Sequence, residues 1–133
     1  MRVLLVNKFY YQRGGDCTAV FSTERLLREK GHDVAIFSMK HPDNVRSDYE
    51  KYFPEEVSFS SAGITKGVSA AKRIFGTSEV FNKFKLLITD FKPDVVHMHN
   101  VHSHISPLVA KIAHENGIRV VWTLHDHKLI CPV

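Results

Sequence analysis

Residues Arg2–Met39, RVLLVNKFYYQRGGDCTAVFSTERLLREKGHDVAIFSM, decide the fold. Arg2 to Val6 is a short apolar run, the pattern of a strand covered on both faces. Asn7 to Gly15 follows as a polar and aromatic loop that closes on Arg13-Gly14-Gly15-Asp16. From Cys17 to Lys30 the apolar residues Cys17, Val20, Phe21 and Leu27 recur at helical spacing. Arg25, Arg28, Glu29 and Lys30 lie on the opposite face. Cations in a last turn followed by Gly31 stop a helix. Asp33 to Met39 then reads as a second strand built on Val34, Ile36 and Phe37. Strand, glycine turn, helix, glycine and strand within about 40 residues make a βαβ unit, and such units build parallel sheets.

The alternation recurs downstream. Glu79 to Phe91 carries a helical stripe of Val80, Phe81, Phe84, Leu87, Ile88 and Phe91, ended by Lys92-Pro93. Asp94 to His99 is the next expected strand, Pro107 to Asn116 a helix closed by Gly117, and Ile118 to Leu124 another strand. Lys40 to Glu56 reads as a polar loop with ordered aromatic contacts, and Glu55 to Ser60 as a short strand. The expected fold is α/β: a Rossmann-like open parallel sheet flanked by helices.

Composition narrows the class. The chain has 133 residues, 44% of them hydrophobic and 24% charged, which fits one globular domain and excludes disorder and collagen. No apolar run approaches the roughly 18 residues needed to cross a bilayer. The opening segment has too short an apolar core for a signal peptide. Cys17 and Cys131 are the only cysteines and lie far apart, which suits reduced thiols in the cytoplasm. Lys and Arg outnumber Asp and Glu by 18 to 14. Residues 61–92 alone hold six Lys or Arg against Glu79 and Asp90, so the surplus is local. Lys66, Lys72, Arg73, Lys83 and Lys85 alternate there with Ile74, Phe75, Phe81 and Phe84. This basic amphipathic stretch, residues 66–85, suits peripheral contact with anionic lipid, or a solvated face over a packed stripe. Helix-turn-helix, RNP-like and zinc-finger spacings are absent, so nucleic acid is not an expected partner.

Ligands of open parallel sheets bind outside the carboxyl ends of the strands, where the strand order switches. Those ends are Asn7 to Gly15, His99 to His104, and His125 to Lys128. Paired glycines before a helix admit close approach of an anion to backbone N–H groups; alternatively Gly14-Gly15 is a tight turn with Asp16 as N-cap. The fingerprint G-x-G-x-x-G is missing and no acid ends the second strand, which disfavours a nicotinamide cofactor. Six of nine histidines lie at 97, 99, 102, 104, 125 and 127. Two H-x-H pairs invite a metal hydrolase reading, but Asp126 is the only carboxylate in these clusters and H-E-x-x-H is absent. His97 reads as a core histidine. Thr123-Leu124-His125-Asp126-His127-Lys128 offers an imidazole, a carboxylate to orient it and a cation for phosphate. Cys17 reads as a buried small residue, with a dipole-activated thiol as the alternative.

Five segments in series resemble a known family: Val6 to Gly15, Glu29 to Val34, Phe37 to Pro42, Pro93 to Asn100, and Thr123 to Pro132. In order and spacing they are similar to the N-terminal half of family 4 glycosyltransferases, retaining enzymes of GT-B architecture with two Rossmann-like domains across a cleft. The resemblance implies an acceptor-side domain at residues 1–133, unfinished at its end. The domain that grips the nucleotide-sugar donor, with its paired glutamates, would be absent and the fragment inactive alone. It implies donor-phosphate contacts at Gly14 and Gly15, catalytic roles for His125 and Asp126, and an acceptor-side wall of Asn7, His99, Asn100 and Lys128. The expected partners are a nucleotide-sugar and a glycan or lipid-linked acceptor, with no cofactor and no bound metal. Cys17 stands where the family often has a glutamate, and Gln12 and His127 where proline and an aromatic are commoner. A stand-alone phosphate- or nucleotide-binding module is the alternative.

Overall fold

The computed structural model describes residues 1–56, 77–102 and 104–125. Four strands among them form one sheet: β1 (Arg2–Val6), β2 (Asp33–Phe37), β3 (Val95–Met98) and β4 (Arg119–Trp122). The order is β2-β1-β3-β4 and every pairing is parallel. β1 is therefore central, with Leu5 opposite both Ile36 and His97. The chain leaves β1 for β2 on one side and later returns to β3 on the other, which puts the switch in strand order between β1 and β3.

Alternation along the central strands supplies two apolar faces. Leu4, Val6, Ala35, Phe37, Val96 and Met98 pack against Val80, Phe84, Leu87, Ile88 and Phe91 of α2 (Ser78–Phe91), and against Val109 and Ala113 of α3 (Leu108–Glu115). Val3, Leu5, Val34 and Ile36 face Val20, Phe21 and Leu27 of α1 (Gly15–Glu29). Phe84 is fully buried and meets Phe37 edge to face at 5.3 Å. The second face is covered only as far as β1 and β2 among the described residues. Val121 on β4 is 51% exposed, and His97 on β3, expected as a core histidine, is half-buried.

The helix ends follow their residues. Gly31 at φ 79° and Gly117 at φ 74° take the left-handed conformation that glycine allows without a Cβ clash. Both close Schellman motifs: His32 N–H donates to Leu27 O and Gly31 N–H to Arg28 O, and Ile118 and Gly117 repeat the pair onto Ala113 and His114. α2 starts at Thr77, whose hydroxyl accepts from the Val80 N–H. α1 starts two residues earlier than its apolar spacing suggests, with Gly14 as an extended N-cap. Asp16 is therefore inside the first turn and is not the cap.

The loop after β2 holds a 3-10 turn, Glu50–Tyr52, and the expected aromatic contacts: Tyr49 meets Phe91 edge to face and Phe53 is buried. Glu55 and Glu56 are not in a strand, and the remainder of that expected strand lies outside the described residues. Lys66, Lys72 and Arg73 lie outside them as well. Lys83 donates to Phe53 O at 3.0 Å and pairs with Glu79, whereas Lys85 is exposed.

Candidate functional site at the switch in strand order

Asn7, the first residue beyond β1, is 1% exposed. A buried amide must place all of its polar atoms, and Asn7 does so across the switch. Its Nδ2 donates to Phe9 O at 2.9 Å and approaches Cys17 Sγ at 3.8 Å, while its Oδ1 accepts the Asn100 N–H at 3.1 Å. The Lys8 N–H donates to Asn100 O, so the loops after β1 and β3 are bonded in both directions. Asn100 Nδ2 then donates to Asp16 Oδ2 at 3.1 Å on the first turn of α1. Burial pushes the Asp16 carboxyl up, but the Asn100 amide and the Cys17 N–H outweigh it, and the net shift is downward. The thiol of Cys17 is buried and pushed up, first by burial and then by the Asp16 charge, which makes it a packed residue and not a dipole-activated nucleophile.

The histidines form a stack on the side of the sheet that faces α1. The His97 and His99 rings lie 4.3 Å apart, and those of His99 and His125 lie 5.2 Å apart, both near parallel. His97 Nε2 meets Thr123 Oγ1 at 2.8 Å, and His99 Nδ1 meets His125 Nε2 at 2.9 Å. His99 is held at every level: its N–H donates to Val6 O, its C=O accepts Trp122 Nε1, and its side chain is 2% exposed. Burial, followed by the His97 and His125 charges, pushes its pKa down to about 3, while that of His97 is also lowered by burial. His99 is thus neutral near pH 7. His97 is half-buried and hydrogen-bonded, so it is a satisfied, partly exposed histidine and not a core residue. Among the described residues no group of three His, Cys, Asp or Glu side chains could hold a metal ion.

Gly14 and Gly15 are exposed, and a Cβ built on Gly15 would meet nothing within 4 Å. The first turn of α1 therefore borders open space beside the Asn7–Asn100–Asp16 network. An aromatic ledge flanks it on the side of β2: Tyr11 stacks on His41 at 4.5 Å, and Phe9 contacts both rings and that of His104. Beyond the ledge lies a notch of about 410 Å³ lined by Lys40, His41, Pro42, Glu50, Glu55 and Glu56.

Three strand ends that looked polar in the sequence are thus brought together: Asn7 with Gly14 and Gly15, His99 with Asn100, and His125. Asp126 and Lys128 lie outside the described residues. Sequence reasoning overlooked Asp16 as the bridge, because an acid after a glycine doublet reads first as a cap. It also passed over the buried Glu24, which accepts from Tyr10 Oη at 2.6 Å and from Arg28 at 2.9 Å. An acid within the apolar stripe of α1, four residues after Val20 and four before Arg28, was the available signal.

The opposite rim differs. A cavity of about 390 Å³ at the amino ends of β3 and β4 is lined by Ile88, Thr89, Lys92, Pro93, Asp94, Asn116, Gly117, Ile118 and Arg119, with no histidine among them.

Comparison with known proteins bears on the family and the fold. The chain is 33% identical over 145 aligned positions to an uncharacterised 42.6 kDa protein in the cps region of Klebsiella pneumoniae, covering 99% of this chain and 38% of that protein. The crystal structure of SsfS6, a glycosyltransferase from Streptomyces sp. SF2575, superposes with a TM-score of 0.52 at 16% identity, over 93% of this chain and 39% of that one. The chain therefore spans about two fifths of the length of each, and the structural match supports the Rossmann-like α/β fold. The sequence profile described as Glycosyltransferase Family 4 matches residues 14–129, which includes the glycine doublet, the β3 histidines and the loop after β4, and the chain belongs to that family.

Proposed function

We propose that this chain is the acceptor-side half of a GT-B glycosyltransferase that moves a sugar from a nucleotide-sugar to a glycan or lipid-linked acceptor with retention of configuration. One observation carries the reading. Asn7 and Asn100, from two strand ends, are hydrogen-bonded to each other and on to Asp16 in the open first turn of α1, and the neighbouring His99 is hydrogen-bonded to His125 from the third strand end. Such a rim is where open parallel sheets take their ligands.

The roles follow from the chemistry. Leaving-group departure places charge on a diphosphate, and preorganised donors aimed at that charge lower the barrier. Gly14 and Gly15 leave room for the diphosphate to approach the backbone. Asp16 supports this indirectly: its charge is taken up by Asn100 and the Cys17 N–H, so it organises the turn. His125 is exposed and anchored by His99, which suits it to contact the transferred sugar, and Asp126 and Lys128 follow it in sequence as orienting carboxylate and phosphate-binding cation. Asn7, His99 and Asn100 form the acceptor-side wall. The donor domain, and hence activity, is assigned to sequence beyond this chain, in keeping with relatives of more than twice its length.

The relative in a cps region favours a polysaccharide-building role. No helix among the described residues is long and apolar enough to cross a membrane. We place the site in the cytoplasm, with residues 66–85 as a peripheral contact to a membrane-borne acceptor.

The test is transfer by the protein that carries this chain. Incubation with a panel of nucleotide-sugars and a lipid-linked or oligosaccharide acceptor should release nucleoside diphosphate and give a product with the donor's anomeric configuration. Inverted product would refute retention, and failure with every donor would refute the transferase reading.

A further inference from the structure

We infer that His99 sets the tautomer of His125: His99 Nδ1–H donates to His125 Nε2, so that His125 carries its proton on Nδ1 and presents a donor from that atom.

His99 Nδ1 and His125 Nε2 lie 2.9 Å apart. A hydrogen bond between two neutral imidazoles needs one protonated and one bare nitrogen, so exactly two assignments exist for the pair. They differ at the far side of the His99 ring. His99 Nε2 is buried and has no hydrogen-bond partner among the described residues. A proton on Nε2 would leave an N–H buried without an acceptor, and orphaned donors are the rarer and costlier defect. A proton on Nδ1 leaves only an unused lone pair at Nε2. The second assignment is the one the burial selects.

The ring cannot escape this choice by turning. It lies against His97, whose own Nε2 is fixed to Thr123 Oγ1, and rotation about its last torsion would put a carbon where Nδ1 meets His125. Nor does a second proton offer a way out, because burial keeps His99 neutral near neutral pH. His125 therefore accepts at Nε2. Its other nitrogen, which has no partner among the described residues, carries the proton. This reverses the preference of a free imidazole side chain in water, which favours the Nε2–H form, so the protein must supply the bias.

His99 is thus a positioning residue: it acts through His125. The tautomer stands on the geometry and burial of the pair. Its consequence rests on the transferase reading above, under which His125 meets a sugar or diphosphate oxygen as a neutral Nδ1–H donor and not as a proton acceptor.

Nitrogen NMR of 15N-histidine-labelled protein at pH 7.5 tests the assignment, with the His125 signals identified by their loss in His125→Asn. The expected spectrum has a pyrrole-like Nδ1 and a pyridine-like Nε2 for His125. His99→Asn, whose amide N–H can stand near the Nδ1 position, should preserve that pattern. His99→Leu should move the His125 proton to Nε2, a change that loss of packing alone would not produce. A wild-type His125 protonated on Nε2, or a pattern untouched by His99→Leu, overturns the inference. If His99→Leu does not fold, the wild-type spectrum still decides. A His125→Ala protein that keeps its transfer activity while the wild-type tautomer is as stated would sink the site assignment and leave the inference standing. Loss of transfer in His125→Ala with the proton found on Nε2 would do the reverse.

Discussion

Asn100 donates from its side-chain amide to the Asp16 carboxylate at 3.1 Å, joining residues 84 positions apart across the switch in strand order. The same residue accepts from Lys8 and donates its backbone N–H to Asn7, so it clasps the loop after β1 from two sides. Asn100→Ala removes the side-chain arm alone. A hydrogen bond to a charged group is worth about 1.5–3 kcal/mol. Partial exposure of Asp16 places the expected loss at the low end of that range. Urea unfolding of the variant should show a lowered midpoint with an unchanged slope. A midpoint equal to wild type would mean that the bond is not formed in solution.

The sequence showed this site as three separate polar rims, and the distance between them was what it lacked. β1, α1 and β2 were legible because a short apolar run and a 3.6-residue stripe each fix one element. Gly31 and Gly117 were legible because a left-handed stop has few substitutes. Strand order is written in no local pattern: that β3 lies beside β1 follows from long-range packing of Leu4, Val6, Val96 and Met98 on α2 and α3. For the same reason His97 looked like a core residue, since its neighbours in sequence are apolar while its own side chain is only half-buried. Asp16 was hidden by a local rule that holds in most helices and loses here to a partner 84 residues away.

Acid stability follows from His99. In the unfolded chain it takes up a proton below its ordinary value of 6.5, whereas in the folded protein it stays neutral down to about 3. The unfolded state therefore binds more protons between these values, and stability falls as pH drops through that window, by up to about 1.4 kcal/mol per pH unit. His97 is shifted in the same direction. The Asp16 carboxyl is lowered as well, but from an ordinary value of 3.8, so its contribution is lost as pH falls below that value and does not enter between pH 6.5 and 5. Denaturation at pH 7.5, 6.0 and 5.0 should give a falling free energy of unfolding, and His99→Asn should flatten the fall. A wild-type stability that is constant over this range contradicts the neutral burial of His99.

Tyr10, Glu24 and Arg28 couple the loop after β1 to the middle of α1. Tyr10 Oη donates to Glu24 Oε2, and Arg28 donates to both Glu24 Oε1 and Val34 O. Burial, together with the bond to Glu24, raises the Tyr10 hydroxyl far above its ordinary value, so it remains a donor at any working pH. Tyr10→Phe and Glu24→Gln should each destabilise, and a double-mutant cycle should return a coupling of about 0.5–3 kcal/mol. Additive losses would show that the two groups do not interact.

The core on the α2 side has a sharper signature. Phe84 has no exposed surface and packs on Phe37, whereas Leu86 two residues on is 59% exposed. Phe84→Ala should cost about 3–5 kcal/mol, and Leu86→Ala should stay within about 0.5 kcal/mol of wild type. Similar losses from both would place the apolar stripe of α2 on the wrong face.

Transfer kinetics of His125→Ala, in the protein that carries this chain, test the central claim most directly. Removing one preorganised donor at a developing charge costs about 100- to 1,000-fold in kcat. The predicted result is a loss of that size in a protein that still folds, since His125 is exposed, with a urea midpoint lowered only by the His99 N–H left without its acceptor. A variant that transfers sugar at the wild-type rate would contradict the placement of the reaction at the switch between β1 and β3.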